Sequence, residues 1–455
     1  MVSSLPIDRL GPRIVIAGTH SGAGKTTVAT GLMRALVAAG HRVASAKVGP
    51  DFIDPSYHAV ATGRAGRSLD VFLSGESVVR AQAARATRGA DVLVIEGVMG
   101  LFDGSSETGI DGSTAAISRL LDAPVVLVVD ASAMSGSVAA LVHGFSRFDP
   151  ALRLAGVVLN RVAGEGHATL LREALAPLGV PVLGVVVRDT DLEWRERHLG
   201  LVPVVEDPSG TRASVERLGR TIAASLDLDA IVRVARSAPV RDVAPVPTAR
   251  EVGRARVAVC MGKAFSFIYP ENLEALSDAG AEIIPIDPLV DEQLPPECTG
   301  LYAGGGFPEV YASELAGNGP LLGDVRRRVR SGLATWAECG GYLWLCDSID
   351  GVPMAGVLEG VNASMTDRLT LGYRRARTVG EGLFGPDGTE LRGHEFHRSV
   401  VTPTGDGLEM TGRFFSGRAG VNSSRMFASY LHQHLAATPQ LAENFVTAAL
   451  SQTMS

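Results

Sequence analysis

The chain has 455 residues, more than one hydrophobic core of about 250–300 residues supports, so two domains are expected. With 46% hydrophobic and 20% charged residues it has the balance of a globular protein, which excludes general disorder. A net charge of -7 argues against non-specific nucleic-acid binding, which needs a basic face to release counterions.

Residues 1–11 lack a basic segment followed by an apolar stretch, and every longer apolar run is broken by charge or glycine; neither a signal peptide nor a membrane span is expected. Cys260, Cys298, Cys339 and Cys346 show no metal-site spacing and are too sparse for a disulfide scaffold, so a reducing cytoplasm is the expected compartment.

Short β-branched runs at 13–17, 42–47, 92–96, 125–130, 154–160 and 182–187 alternate with amphipathic segments. This predicts an α/β domain with a parallel sheet, helical crossovers and ligand loops at the carboxyl ends of the strands. The first run leads into Gly18-Thr19-His20-Ser21-Gly22-Ala23-Gly24-Lys25-Thr26-Thr27 and then an apolar helix at 26–39, the strand, loop and helix context of a phosphate loop. Backbone N–H groups of residues 22–26 can converge on phosphate oxygens at a helix N-terminus. Lys25 would reach the terminal phosphates and the Thr26 hydroxyl would ligate magnesium. The spacing departs from GxxxxGK[ST], since Gly18 lies one position early and Thr19 stands where the first glycine is usual. The expected ATP contacts are Thr19, Gly22, Gly24, Lys25, Thr26, Thr27 and, at the adenine, Asn160, for which a loop cap is the plainer alternative.

Four carboxylates sit at predicted strand ends: Asp51 and Asp54 after Lys47, and Glu96 and Asp103 in a second loop. Any one could be a turn cap. Together, beside a phosphate loop, they point to magnesium and phosphoryl chemistry, with Glu96 where a magnesium-supporting carboxylate belongs. Lys47, before Gly-Pro-Asp, is expected to touch substrate or phosphate.

Three prolines between residues 237 and 248 mark a linker, taken as 237–252, between a nucleotide domain at 1–236 and a second α/β domain at 253–455. Strands are expected at 257–261, 282–286, 301–303 and 333–337, a mixed pattern beyond Gly351, and a closing helix at 440–450. Cys339 falls on a sharp elbow between strand 333–337 and a helix starting at Gly340; exposure at the turn and the helix N-terminus both favour thiolate. The N–H of Gly340 is one candidate oxyanion donor and Gly304-Gly305-Gly306 a second set. A thiolate needs a base, and His394, His397, His432 and His434 are the candidates, among which the residues alone do not choose. The other three cysteines read as small buried hydrophobes.

The loop GTxSGxGKT resembles that of dethiobiotin synthetase. With KVGPDFIDPSYH from Lys47, EGVMGLFDG from Glu96, ERHLGLVP from Glu196, AFSFIYPENL from Ala264, GGGFPEVYA from Gly304, AECGGYLWL from Ala337, GHEFHRS from Gly393 and SYLHQH from Ser429, nearly the whole chain resembles the cobyrinic acid a,c-diamide synthase family. The resemblance implies a dethiobiotin synthetase-like ATP domain followed by a flavodoxin-like class I glutamine amidotransferase domain. It implies amidation of two acetate carboxylates of a corrin ring, cobyrinic or hydrogenobyrinic acid, with ATP and Mg2+, L-glutamine as nitrogen donor and a homodimer as a family expectation. Carried over by position, Cys339 is the nucleophile and His432 the base, with Gly305 and Gly340 at the oxyanion. The class I pattern has a Glu two residues after that histidine; here His434 stands there. Asp51, Glu96 and Asp103 would support phosphoryl transfer, Thr26, Asp51 and Glu96 the metal, and Lys47, Asp54, Arg197 and His198 the corrin. The rivals are cobyric acid synthase, a nickel-sirohydrochlorin a,c-diamide synthase and a partition-type ATPase. The last usually carries a lysine near position 20, where this chain has His20, and would not need Cys339.

Overall fold

The computed structural model describes residues 8–104, 111–189, 196–197, 200–413 and 415–451. They form two units, Met1–Val246 and Pro247–Ser455. In the first, each run expected as a strand is one, because residues that are apolar throughout can be covered by helices on both faces. The elements that carry its site are β1 (Arg13–Gly18), α1 (Lys25–Ala38), β2 (Val43–Val48), α2 (Ile53–Thr62), β3 (Arg67–Leu69), β4 (Val92–Glu96), β5 (Val125–Asp130), β6 (Leu154–Val162) and β7 (Val182–Val187). Their order across the sheet is β3-β2-β4-β1-β5-β6-β7, with every pairing parallel. The carboxyl ends of β1, β2, β4 and β6 therefore deliver the phosphate loop, Lys47, Glu96 and Asn160 to one edge. Val15, Leu93, Ile95, Leu127 and Leu159 fill the core below.

The stretch expected as a linker is partly structured. Arg241–Val243 pairs antiparallel with Asp8–Leu10, Ala238 and Val246 are buried, and the Pro239 carbonyl accepts from the buried Arg13 guanidinium at 2.9 Å. Prolines forbid a helix here but are tolerated beside an edge strand, and the division between the two units, at Val246 and Pro247, falls within the 237–252 stretch.

In the second unit, β8 (Ala255–Cys260), α3 (Pro270–Asp278), β9 (Ala281–Ile286), β10 (Gly300–Ala303), β11 (Ala334–Glu338), α4 (Gly340–Leu345), β12 (Leu358–Thr378), β13 (Glu390–Thr402), β14 (Met426–Ser429) and β15 (His432–Gln433) matter most. The order β9-β8-β10-β11-β14 is parallel, closed by Val421–Asn422 running antiparallel. Alternate residues serve opposite cores: Ala258, Leu301 and Ala337 on one face, Val257, Tyr302 and Trp336 on the other. Beyond Gly351, where only a mixed pattern was expected, β12 and β13 form a long antiparallel pair in a second sheet that also holds β15. Among the described residues no helix is long and apolar enough to cross a membrane.

Candidate active sites

In the first unit the loop between β1 and α1 turns through Gly22 at φ 83° and Gly24 at φ 93°, a region open to glycine. A Cβ on Gly24 would fall on Asn160 Nδ2, which donates to Ala23 O at 2.9 Å. Asn160 thus braces the phosphate loop through this bond, the loop-holding alternative to the adenine contact expected of it. Arg161, at φ 56°, donates to Gly22 O at 2.9 Å and Asp130 Oδ2 at 2.6 Å. Lys25 is buried along Gly18 and, among the described residues, its Nζ donates to His20 O at a long 3.4 Å. Burial, then the neighbouring Lys47, push its pKa down.

Lys47 and Glu96 are register partners in β2 and β4, so their side chains leave the sheet together. Glu96 Oε1 accepts from Thr26 Oγ1 at 2.6 Å and Lys47 Nζ at 2.9 Å, and its Oε2 faces His58 Nε2 at 2.6 Å. Lys47 also donates to Asp54 Oδ2 at 2.6 Å, and Thr26 Oγ1 lies 3.4 Å from the same oxygen. Burial alone would neutralise these groups, but pairing decides for two of them. Burial opposes charge on Lys47, yet Asp54 and Glu96 hold its pKa above the lysine range. Burial opposes charge on Glu96 too, and Lys47 and His58 hold it below the carboxylate range. Asp54 goes the other way: burial and then Asp51 push its pKa well up.

Asp51 does not share the Thr26 contact. Its Oδ1 accepts from the N–H groups of Ile53 and Asp54 at 2.8 and 3.2 Å, capping α2, and Asp54 is the aspartate nearest Thr26. Asp103 Oδ2 accepts from Gly100 N–H at 3.0 Å at the loop mouth. Thr19 Oγ1 bonds His20 Nδ1 at 2.9 Å. Arg197 lies in a two-stranded turn, Glu196–Arg197 against Gly200–Leu201, and its side chain and His198 lie outside the described residues.

In the second unit Cys339 stands between β11 and α4 at φ 48° and ψ -103°, a strained elbow. Its N–H is fixed on Ser429 O at 2.8 Å, and Gly341 N–H on Gly304 O at 2.9 Å. A Cβ on Gly340 would press on Gly306 N at 2.9 Å, and one on Gly305 would fall on the His432 imidazole. The helix after Cys339, the short strand Gly305–Gly306 and His432 therefore meet. Only glycine permits that approach. The thiolate expectation needs correction, however. Cys339 is 5% exposed, and burial, with the carboxylate of Glu309 behind it, pushes the thiol pKa up; the Gly340 N–H opposes this but does not win.

The fold also separates the histidines. His394 and His432 are cross-strand partners in β13 and β15 with stacked rings 4.9 Å apart, and His394 Nε2 meets Tyr269 Oη at 2.9 Å. His434 Nε2 lies 3.7 Å from Glu271 Oε2. His397 is turned onto Tyr430, rings 3.6 Å apart, with Nδ1 on Ser399 O at 2.9 Å.

Two family models account for both units: residues 14–202 match the CobQ/CobB/MinD/ParA nucleotide binding domain and residues 256–440 the CobB/CobQ-like glutamine amidotransferase domain. A hydrogenobyrinate a,c-diamide synthase of Streptomyces coelicolor is 48% identical, covering 96% of this chain and 97% of its own. One of Thermobifida fusca is 47% identical over 97% of each chain, and a cobyrinate a,c-diamide synthase of Syntrophotalea carbinolica 41% over 96% of this chain and 98% of its own. The chain belongs to the a,c-diamide synthase family.

In this a,c-diamide synthase family member the carboxylate cluster also takes in His58, which the strand-end carboxylates alone do not point to. It lies four residues after Asp54, one turn along α2, so both face the same way. That spacing was the available signal.

The buried histidines make the second unit's stability depend on pH. Burial holds His432 at about 3, His397 at about 4 and His394 well below the usual value, so each is neutral in the fold and takes up a proton on unfolding below pH of about 6.5. Glu338 works against them: burial raises it to about 8, so its contribution is present at low pH and lost as pH rises through that value; Glu395, also raised by burial, acts the same way nearer its usual range. Stability should peak near pH 6.5 and fall on acidification, because three histidines take up protons on unfolding against those that Glu338 and Glu395 release, with at least one net proton, or about 1.4 kcal/mol, per pH unit. Urea unfolding followed by the emission of the buried Trp336 and Trp344 measures this, and a midpoint flat from pH 7 to pH 5 contradicts it.

Proposed function

We propose that this protein is an ATP- and glutamine-dependent carbon-nitrogen ligase of cobalamin biosynthesis that amidates the a and c acetate carboxylates of hydrogenobyrinate. The observation that carries this is likeness over 96% of the chain to a relative so named, on a chain that holds both a phosphate loop and a cysteine elbow. The relatives named for the cobyrinate ring are 38–41% identical against 44–48% for the hydrogenobyrinate group, which favours the metal-free ring.

The first unit activates the acid. Backbone N–H groups at the start of α1 and the Lys25 ammonium bind the ATP phosphates, and a carboxylate oxygen of the ring displaces ADP from the γ-phosphorus to give an acyl phosphate. Thr26, Glu96 and Asp54 present oxygen donors side by side, the donor type a hard divalent cation takes. These residues, with Asp51, would hold Mg2+, which when bound neutralises charge on the transferred phosphoryl group. Lys47 bridges Glu96 and Asp54, and Asp103 at the loop mouth supports phosphoryl transfer, with Arg197 and His198 on the corrin.

The second unit supplies nitrogen. Cys339 Sγ attacks the glutamine amide carbon as its proton passes to His432, the N–H groups of Gly340 and Gly305 receive the oxyanion, and the proton leaves with ammonia. Water then cleaves the thioester to glutamate. Because burial favours neutral thiol and neutral imidazole, the ion pair forms only as the attack begins. Ammonia displaces phosphate from the acyl phosphate. Four free cysteines fit the cytoplasmic location, and a homodimer completes the reading.

The test is mass analysis of products after incubation with ATP, Mg2+, glutamine and either hydrogenobyrinate or cobyrinate. Two carboxyl-to-amide conversions on the metal-free ring are expected. Conversion of a ring already diamidated at a and c would favour the cobyric acid synthase reading, and DNA-stimulated ATP hydrolysis without amide a partition-type ATPase.

A further inference from the structure

The residue just before the nucleophile, Glu338, is a carboxyl group 1% exposed, a costly placement unless its oxygens are bonded. Both are. Oε1 accepts the backbone N–H of Gln433 at 2.9 Å and Oε2 accepts Tyr302 Oη–H at 3.0 Å. Asn272, buried on α3, donates through Nδ2 to Tyr302 Oη at 3.2 Å and to the Gln433 carbonyl at 2.8 Å, while its Oδ1 accepts Leu435 N–H at 2.8 Å. The ring of bonds closes on the backbone of one residue, Gln433, next to His432.

That stretch of backbone needs holding. The strand carrying His432 is two residues long and pairs with β13 on one side, where His394 and Gly393 face His432 and Gln433. A small rotation at Gln433 would swing the imidazole away from Gly305. The clamp runs from the nucleophile's own strand, so base and nucleophile share one support.

We propose that Glu338 and Asn272 are positioning residues for His432: by holding the N–H and the C=O of Gln433 from two elements, they aim the imidazole at the Cys339 elbow. This rests on the assignment of Cys339 and His432 as nucleophile and base. A role confined to folding would lower stability and leave proton transfer at the thiol unchanged.

The experiment uses the full chain, with glutaminase kinetics and the pH dependence of Cys339 alkylation by iodoacetamide, read by mass spectrometry at that residue, together with a melting curve for each variant. Glu338→Ala and Asn272→Leu are expected to lower glutaminase kcat about 100-fold, the effect of misplacing a catalytic group by about 1 Å, with the glutamine KM little changed. Their alkylation profiles should superimpose on that of His432→Asn. Glu338→Gln, whose amide carbonyl still accepts the Gln433 N–H, should recover most of kcat. Asn272→Leu is nearly isosteric, so it keeps the test open if Glu338→Ala fails to fold. Wild-type kcat in both clamp variants, or a lowered kcat with a wild-type alkylation profile, overturns the proposal. If His432→Asn itself leaves the profile unchanged, the base assignment fails and the clamp falls with it; if only the clamp variants leave it unchanged, the clamp alone is wrong.

Discussion

Cys339→Ala is expected to abolish glutamine-dependent amidation, by about 10³-fold or more, while amidation with ammonium salts is retained. Sγ is the atom that would bond to the glutamine carbonyl carbon, and alanine leaves nothing in its place. The change removes little else: the Cys339 N–H still bonds Ser429 O, and alanine suits the buried elbow about as well as cysteine suits φ 48°. Ammonium salts bypass that step, because free ammonia attacks the acyl phosphate directly. Steady-state rates with each nitrogen source measure the effect. Equal loss with both contradicts the division of labour.

Lys25→Ala is expected to lower amidation about 10²- to 10³-fold with either nitrogen source, the usual cost of removing one preorganised donor to developing charge. The Lys25 ammonium is held along the loop by burial against Gly18 and by a long 3.4 Å bond to a carbonyl, and its pKa is pulled down by burial and Lys47. A phosphate is the partner that would satisfy it. Alanine removes that charge and leaves Lys47, Asp54 and Glu96 bonded to one another. Product formation with glutamine and with ammonium, alongside nucleotide binding by calorimetry, checks this; retained amidation contradicts the phosphate assignment.

The parallel strands were legible because both their faces are buried, which writes an unbroken apolar run such as Val92–Glu96 into the chain. The elbow was legible too, since paired glycines after Cys339 have few other uses, and α4 spans Gly340–Leu345. The β12 and β13 hairpin was not. Leu371 and Val400 point outward while Arg374 and Glu395 are buried as an ion pair at 2.7 Å, so the alternation that marks a half-buried strand is inverted at those points. The base could not be chosen because the four histidines differ only in what the hairpin brings beside them: His394 is stacked on His432, and His397 is carried off to Tyr430. The Cys339 motif gave the place of the elbow but not its burial, which pushes the thiol pKa up, since exposure at an elbow is assumed from local pattern while burial is a property of the whole unit. Glu338 and Asn272 were silent for a related reason: their partners in 433–435 lie far along the chain, and no local spacing records such a bond.

The central claim is that ATP activates the carboxylate that becomes the amide. Hydrogenobyrinate carrying 18O in its carboxyl groups, turned over with ATP and glutamine, tests it most directly. An acyl phosphate requires one 18O in the released inorganic phosphate for each amide formed. Unlabelled phosphate alongside full amide yield would contradict the account.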